Sequence, residues 1–141
     1  MAFGGEFLHS FDEKGRLSIP VKYREELGSQ YKLWKGLEAC VCAYPMQVWT
    51  KLEDKLNERS DFTLENRMFK RRFFSSSSGG EIDKQGRTLI NQEFRNYGKL
   101  IKEVYIIGAG DHLEIWDKDT WERYRDSLDQ EFETLAERFF Q

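Results

Sequence analysis

The chain has 141 residues, 39% hydrophobic and 33% charged, with a net charge of −3; that is enough for one compact domain or two small halves sharing a core. No apolar run approaches membrane-spanning length, and no basic segment leads into an apolar one at the N-terminus. No membrane partner and no signal peptide are therefore expected, and the expected location is the cytoplasm.

In chain order, residues 3–11 are apolar-rich and loosely alternating and read as a strand. Asp12-Glu13-Lys14-Gly15 reads as a tight turn, because Asp tolerates turn geometry and Gly supplies positive φ; residues 16–19 are then the return strand of a hairpin. Pro20 cannot donate to a ladder but suits the first turn of a helix, so 21–27 is expected as a short helix stopped by Gly28. Residues 32–34 and 40–44 read as strands and 49–57 as a helix. Cys40 and Cys42 fall in the second of these strands. With only two histidines in the chain, a metal site is short of ligands, so buried reduced thiols and no metal or cofactor are expected. Residues 63–74 read as a helix with Leu64, Met68, Phe69 and Phe73 near one face. Its basic run, Arg67, Lys70, Arg71 and Arg72, suits either a solvated face or a contact to DNA or a neighbouring subunit.

The stretch SSSSGG, 75–80, occupies the place of 4–10 and is expected to be partly strand. A second hairpin is expected across Lys84-Gln85-Gly86, then a helix over 92–98 capped by Asn91, and strands over 104–108 and 112–116 joined at 109–111. The last helix is expected to start near Asp119, with Glu122 three residues on. Trp121, Tyr124, Leu128, Phe132, Leu135 and Phe139 then step by three or four, a stripe that suits either the chain's own core, the default reading, or a neighbouring subunit. From Asp111 onward ten acidic and four basic side chains give −6, so the preceding 110 residues carry +3 of the total −3. An acidic tail and a basic body imply two surfaces with different partners.

One signature occurs twice. DEKGRLSIP begins at Asp12 and DKQGRTLIN at Asp83. Asp12, Gly15, Arg16, Ile19 and Arg24 recur 71 positions later as Asp83, Gly86, Arg87, Ile90 and Arg95: five identities in thirteen positions. Each copy leads to an apolar run and a tryptophan, Trp49 and Trp116, which implies an internal duplication that lost four residues before the second Trp. Asp and Arg flank a four-residue turn, so the bland reading is an exposed ion pair worth at most about 1 kcal/mol. That alone poorly explains why both pairs survive duplication. The alternative is that each Asp aims an Arg, whose planar fork suits phosphate or guanine O6/N7. Facing carboxylates could also serve an enzyme, but the sequence holds no Gly-rich phosphate loop, nucleophile elbow, zinc signature or triad, and no catalytic residue is assigned.

At DEKGRLSIP and its echo DKQGR the sequence resembles the MraZ family of bacterial DNA-binding transcriptional regulators from the division and cell-wall cluster. The resemblance extends through GEFLHSFDEKGRLSIPVKYREEL, YPMQVW, RMFKRRFF and LEIWDKDTWERY. It implies an α+β fold: a pseudo-two-fold, AbrB-like swapped-hairpin β-barrel built from two internal repeats with peripheral helices. On this reading 1–60 is the first repeat, 61–75 a basic connecting helix, and 76–141 the second repeat with the terminal amphipathic helix. It implies a nucleoid-associated repressor that assembles into a homo-oligomeric ring and binds double-stranded DNA carrying short direct repeats. A structural ring without nucleic acid is the alternative. The resemblance makes Arg16 and Arg87 the candidate DNA contacts, with Asp12 and Asp83 orienting them and Lys14, Lys22, Arg24, Lys84 and Arg95 extending the basic surface. Gln85 and Glu93 stand where the first copy has Lys14 and Lys22, so the first motif is expected to contribute more affinity.

Overall fold

Strand alternation and the duplication together set the architecture. The structure, a computed structural model, describes residues 2–141. The first repeat supplies β1 (Glu6–Ser10), β2 (Arg16–Ser18), α1 (Val21–Leu27), β3 (Gln30–Lys35), β4 (Val41–Pro45) and α2 (Met46–Asn57). After α3 (Leu64–Ser75) come β5 (Ser77–Glu81), β6 (Arg87–Leu89), α4 (Gln92–Gly98), β7 (Glu103–Gly108), β8 (Leu113–Asp117) and α5 (Lys118–Phe139). SSSSGG therefore straddles the end of α3 and the start of β5.

The 12–15 and 83–86 turns reverse the chain as expected, yet their two arms take partners from the other repeat. β1 pairs with β7, β5 with β3, and β2 with β6, all antiparallel. An arm of three residues gains little from its own neighbour. Inserted against the other repeat, the arms bury Leu17 of β2, and Ile90 directly after β6, to 0% exposure, each worth roughly 1.5–3 kcal/mol of transfer free energy. The strands form one six-stranded sheet, β1-β7-β8-β4-β3-β5, and a separate β2–β6 ribbon. β1 and β5 are the edge strands of this sheet and do not pair with each other, so the expected closed barrel is not formed.

The sheet has two apolar faces. Tyr31, Leu33, Val41, Ala43, Val104, Ile106, Leu113 and Ile115 face the ribbon and the short helices, meeting Leu17, Tyr23, Leu27, Ile90 and Phe94. Their alternates Trp34, Cys42, Tyr44, Ile107 and Trp116 face the longer helices, meeting Trp49, Phe73, Trp121 and Tyr124. Both faces are covered near the middle of the sheet, so the strands read as near-continuous apolar runs.

Three expectations change. Trp49 is the fourth residue of α2, and its counterpart is Trp121, the fourth residue of α5; Trp116 lies in β8 and corresponds to Tyr44. The second copy thus runs one residue longer between motif and Trp, not four shorter. α5 is capped by Asp117, whose carboxylate accepts the Thr120 N–H at 3.0 Å and hydroxyl at 2.9 Å, rather than by Asp119. Finally, the α5 stripe packs on the sheet only at its start. Trp121 and Tyr124 join Trp116, while Phe132, Leu135 and Phe139 are exposed.

Candidate nucleic-acid interface

Each turn is built by its own aspartate. Asp12 Oδ1 accepts the backbone N–H of Lys14 and of Arg16, both at 2.9 Å, and Oδ2 accepts Arg16 Nε at 2.7 Å. Asp83 repeats this with Gln85 and Arg87 N–H at 2.9 Å and Arg87 Nε at 3.2 Å. Gly15 and Gly86 close the turns with φ of 79° and 80°, the left-handed region that suits glycine. The Arg16 N–H, followed by the Arg16 side chain and Lys14 N–H, holds the Asp12 carboxyl below its ordinary value; the Arg87 N–H leads the same effect at Asp83. A catalytic carboxyl pair requires the opposite, one member raised. Asp holds Nε in both motifs, and among the described residues the outer nitrogens of Arg16 and Arg87 make no hydrogen bond.

The ribbon then brings the two motifs together. It aligns Arg16 with Leu89, Leu17 with Thr88, and Ser18 with Arg87. Alternation sends Leu17 and Thr88 inward and leaves Arg16, Ser18, Arg87 and Leu89 on the outer face. Arg16 and Arg87 are diagonal neighbours, a separation of roughly 7–8 Å in such a ladder. Both line one cleft of about 710 Å³, shared with Tyr31, Lys32, Glu81 and Asp83.

The other predicted residues divide by role. Arg24 Nε donates to Ile19 O at 2.7 Å, and Arg95 Nε to Ile90 O at 2.8 Å. Each guanidinium lies against the turn glycine of the opposite repeat: a Cβ on Gly86 would overlap that of Arg24, and one on Gly15 would crowd that of Arg95. Alongside, Ile19 N–H donates to Gly86 O at 2.9 Å and Ile90 N–H to Gly15 O at 3.1 Å. Arg24 and Arg95 thus support the turns across the repeat boundary. Lys22 Nζ lies 6.0 Å from the Phe7 ring centre and 5.8 Å from that of Tyr23, on α1 rather than on the ribbon. Its counterpart Glu93 takes Lys35 Nζ at 2.6 Å. Lys14 and Lys84 stand exposed in the turns.

The basic run of α3 is largely spent within the chain. Arg67 donates to Asp61 O at 2.7 Å, Lys70 to Arg59 O at 2.7 Å and Asp61 Oδ1 at 2.8 Å, and Arg72 to Lys35 O and the Tyr97 hydroxyl, both at 3.2 Å. Sequence reasoning missed Ser18 and Leu89 on the ribbon face, although period two from Arg16 would have found Ser18. The crossed Arg–Gly packing had a visible signal, two arginines recurring with two glycines, but the exchange was not legible.

The MraZ family model, described as "MraZ protein, putative antitoxin-like", matches twice, over residues 2–72 and 73–141. Proteins named transcriptional regulator MraZ are similar over nearly the whole chain. That of Pelotomaculum thermopropionicum is 46% identical over 136 residues, 96% of this chain and 94% of its own. That of Acetivibrio thermocellus is 45% identical over 136 residues, 96% and 95% of the two chains. That of Moorella thermoacetica is 42% identical over 136 residues, again 96% and 95%.

Proposed function

The chain belongs to the MraZ family, and from that premise we propose that it is a transcription regulator that binds double-stranded DNA through the β2–β6 ribbon. The observation that carries this reading is the pair Arg16 and Arg87, each tethered through Nε to its own aspartate and both on one face of a two-stranded ribbon. The major groove of DNA admits such a ribbon, and the arginine fork matches guanine O6/N7 or a phosphate. Lys14 and Lys84 add phosphate contacts from the turns, Lys22 extends the surface, and Arg24 and Arg95 keep the turns in place. The crossed strand pairing supports an AbrB-like exchanged-hairpin relation between the repeats.

The reading extends to a homo-oligomeric ring that represses its own division and cell-wall operon at the nucleoid by binding short direct repeats. Few phosphate contacts per chain give weak binding at physiological salt, and linking several ribbons raises it through effective concentration. Direct repeats suit head-to-tail subunit contacts, which close into rings. Exposed Leu64, Met68 and Phe69 on α3 and Phe132, Leu135 and Phe139 on α5 offer apolar area for such contacts. The same faces favour the second reading, an interaction ring without nucleic acid.

The test is a titration with DNA from upstream of the protein's own gene at several salt concentrations. Selective, salt-dependent binding is expected, with Arg16→Ala abolishing it while assembly persists by size-exclusion chromatography. An intact assembly with no selective binding at low salt would leave the interaction ring. Arg87→Ala weakening binding more than Arg16→Ala would overturn the ranking of the two motifs.

A further inference from the structure

We propose that Cys40, Cys42 and Glu114 form a binding site for a thiophilic divalent cation of the zinc class, placed where the two repeats meet. The duplication creates the site. β4 (41–45) and β8 (113–117) are equivalent strands 72 positions apart, so Cys42 and Glu114 are equivalent residues. They are also paired directly across the β4–β8 ladder. A position that meets its own copy lies on the axis relating the repeats, and here the copies have diverged into a thiol and a carboxylate.

Cys40 precedes β4 by one residue and lies on the same side as Cys42. Two thiolates bound at about 2.3 Å to a tetrahedral zinc stand roughly 3.8 Å apart; the two Sγ atoms are 3.8 Å apart. A carboxylate oxygen of Glu114 completes a triangle in which all three ligand atoms lie within 4.8 Å of one another. The carboxylate is already oriented. Trp116 Nε1 donates to Oε1 at 2.9 Å, and His112 Nε2 lies 3.0 Å from Oε2, its ring stacked on Tyr44 with centres 4.7 Å apart. Outer groups of this kind fix a metal-binding carboxylate and raise affinity.

The backbone is fitted to the sulfurs as well. A Cβ on Gly36 would collide with Cys42 Sγ and crowd Cys40 Sγ. The hairpin tip between β3 and β4 holds Glu38 and Ala39 at φ of 54° and 61°, conformations that cost non-glycine residues free energy and cluster at functional sites. Redox pairing of the cysteines is the poorer use of this geometry. A disulfide needs its sulfurs at about 2.05 Å, whereas here they stand 3.8 Å apart with the Cys40 thiol donating to Leu37 O at 3.3 Å. Bound there, a cation ties the β3–β4 hairpin of the first repeat to β8 of the second.

The test uses the full chain, reduced and stripped of metal, titrated with Co2+ alone. One Co2+ per chain with thiolate-to-cobalt charge-transfer absorption is expected, displaced by Zn2+, together with a melting temperature that rises with Zn2+ concentration. Cys42→Ser should remove most of the charge-transfer band. Glu114→Gln, which keeps the side-chain size, should weaken Co2+ at least about 10-fold, the loss produced even by an orienting group; it carries the test if Cys42→Ser does not fold by circular dichroism. Absence of the band at equimolar Co2+ in folded, reduced protein would overturn the site. So would equal Co2+ affinity in Glu114→Gln, since thiols alone would then account for binding.

Discussion

The Asp12 carboxylate performs two tasks with two oxygens: Oδ1 shapes the turn and Oδ2 aims the arginine. Asn in its place keeps an acceptor for the backbone N–H groups but sets an amide donor against Arg16 Nε. Asp12→Asn is expected to fold normally and to lose DNA affinity by about 10-fold, roughly 1.4 kcal/mol, measured in the same titration; unchanged affinity would mean the tether is not used. The aspartates also predict a pH response. Both are held below their ordinary 3.8 in the folded chain, so their stabilisation is present above about pH 3.8 and lost as pH falls through the lower folded values. Thermal melting between pH 5 and 2 should show a flatter acid dependence in the Asp12→Asn/Asp83→Asn double variant than in the native chain.

Turn and helix are coupled through the crossed arginines. Gly86→Ala forces a left-handed conformation costing about 1–2 kcal/mol, and its methyl displaces the Arg24 guanidinium. A total loss of about 2 kcal/mol or more is expected in urea unfolding. Arg24→Ala, which gives up the bond to Ile19 O, should cost about 1–2 kcal/mol by itself. The two share one contact, so the double variant should be less destabilised than the sum of the two; strict additivity would break the proposed coupling. Near the end of α5, Phe139 is 82% exposed. Phe139→Ser is expected to change chain stability by less than about 0.5 kcal/mol and to reduce assembly in size-exclusion or light-scattering measurements. A variant that melts early while still assembling would place Phe139 in the chain's own core instead.

The whole molecule is held by pairings between its halves, with β1 on β7, β5 on β3 and β2 on β6. Neither half can complete its sheet alone. Residues 1–75 expressed separately are expected to yield no folded monomer; the fragment should be unfolded or should dimerise by supplying the missing strands in trans. A monomeric fragment with native-like circular dichroism would refute the exchange. Unfolding of the full chain should be a single transition by fluorescence and circular dichroism, because no repeat has a core of its own.

By itself the sequence determined the local elements and the repetition. Asp–Gly turns, the Pro20 and Asn91 helix starts and strand alternation act within a few residues, and the strands, α1 and α4 lie within a few residues of where those signals put them. It also determined the chemical inventory of the candidate site, since Asp12, Arg16, Asp83 and Arg87 echo at a fixed offset. Tertiary structure alone decided which strand meets which. Strand pairing depends on burial summed over residues about a hundred positions apart, and no local signal distinguishes a hairpin that closes on itself from one that opens into its copy. That choice put Arg16 and Arg87 on one face, set Arg24 and Arg95 under the opposite turns, left the end of α5 uncovered, and brought Cys42 opposite Glu114.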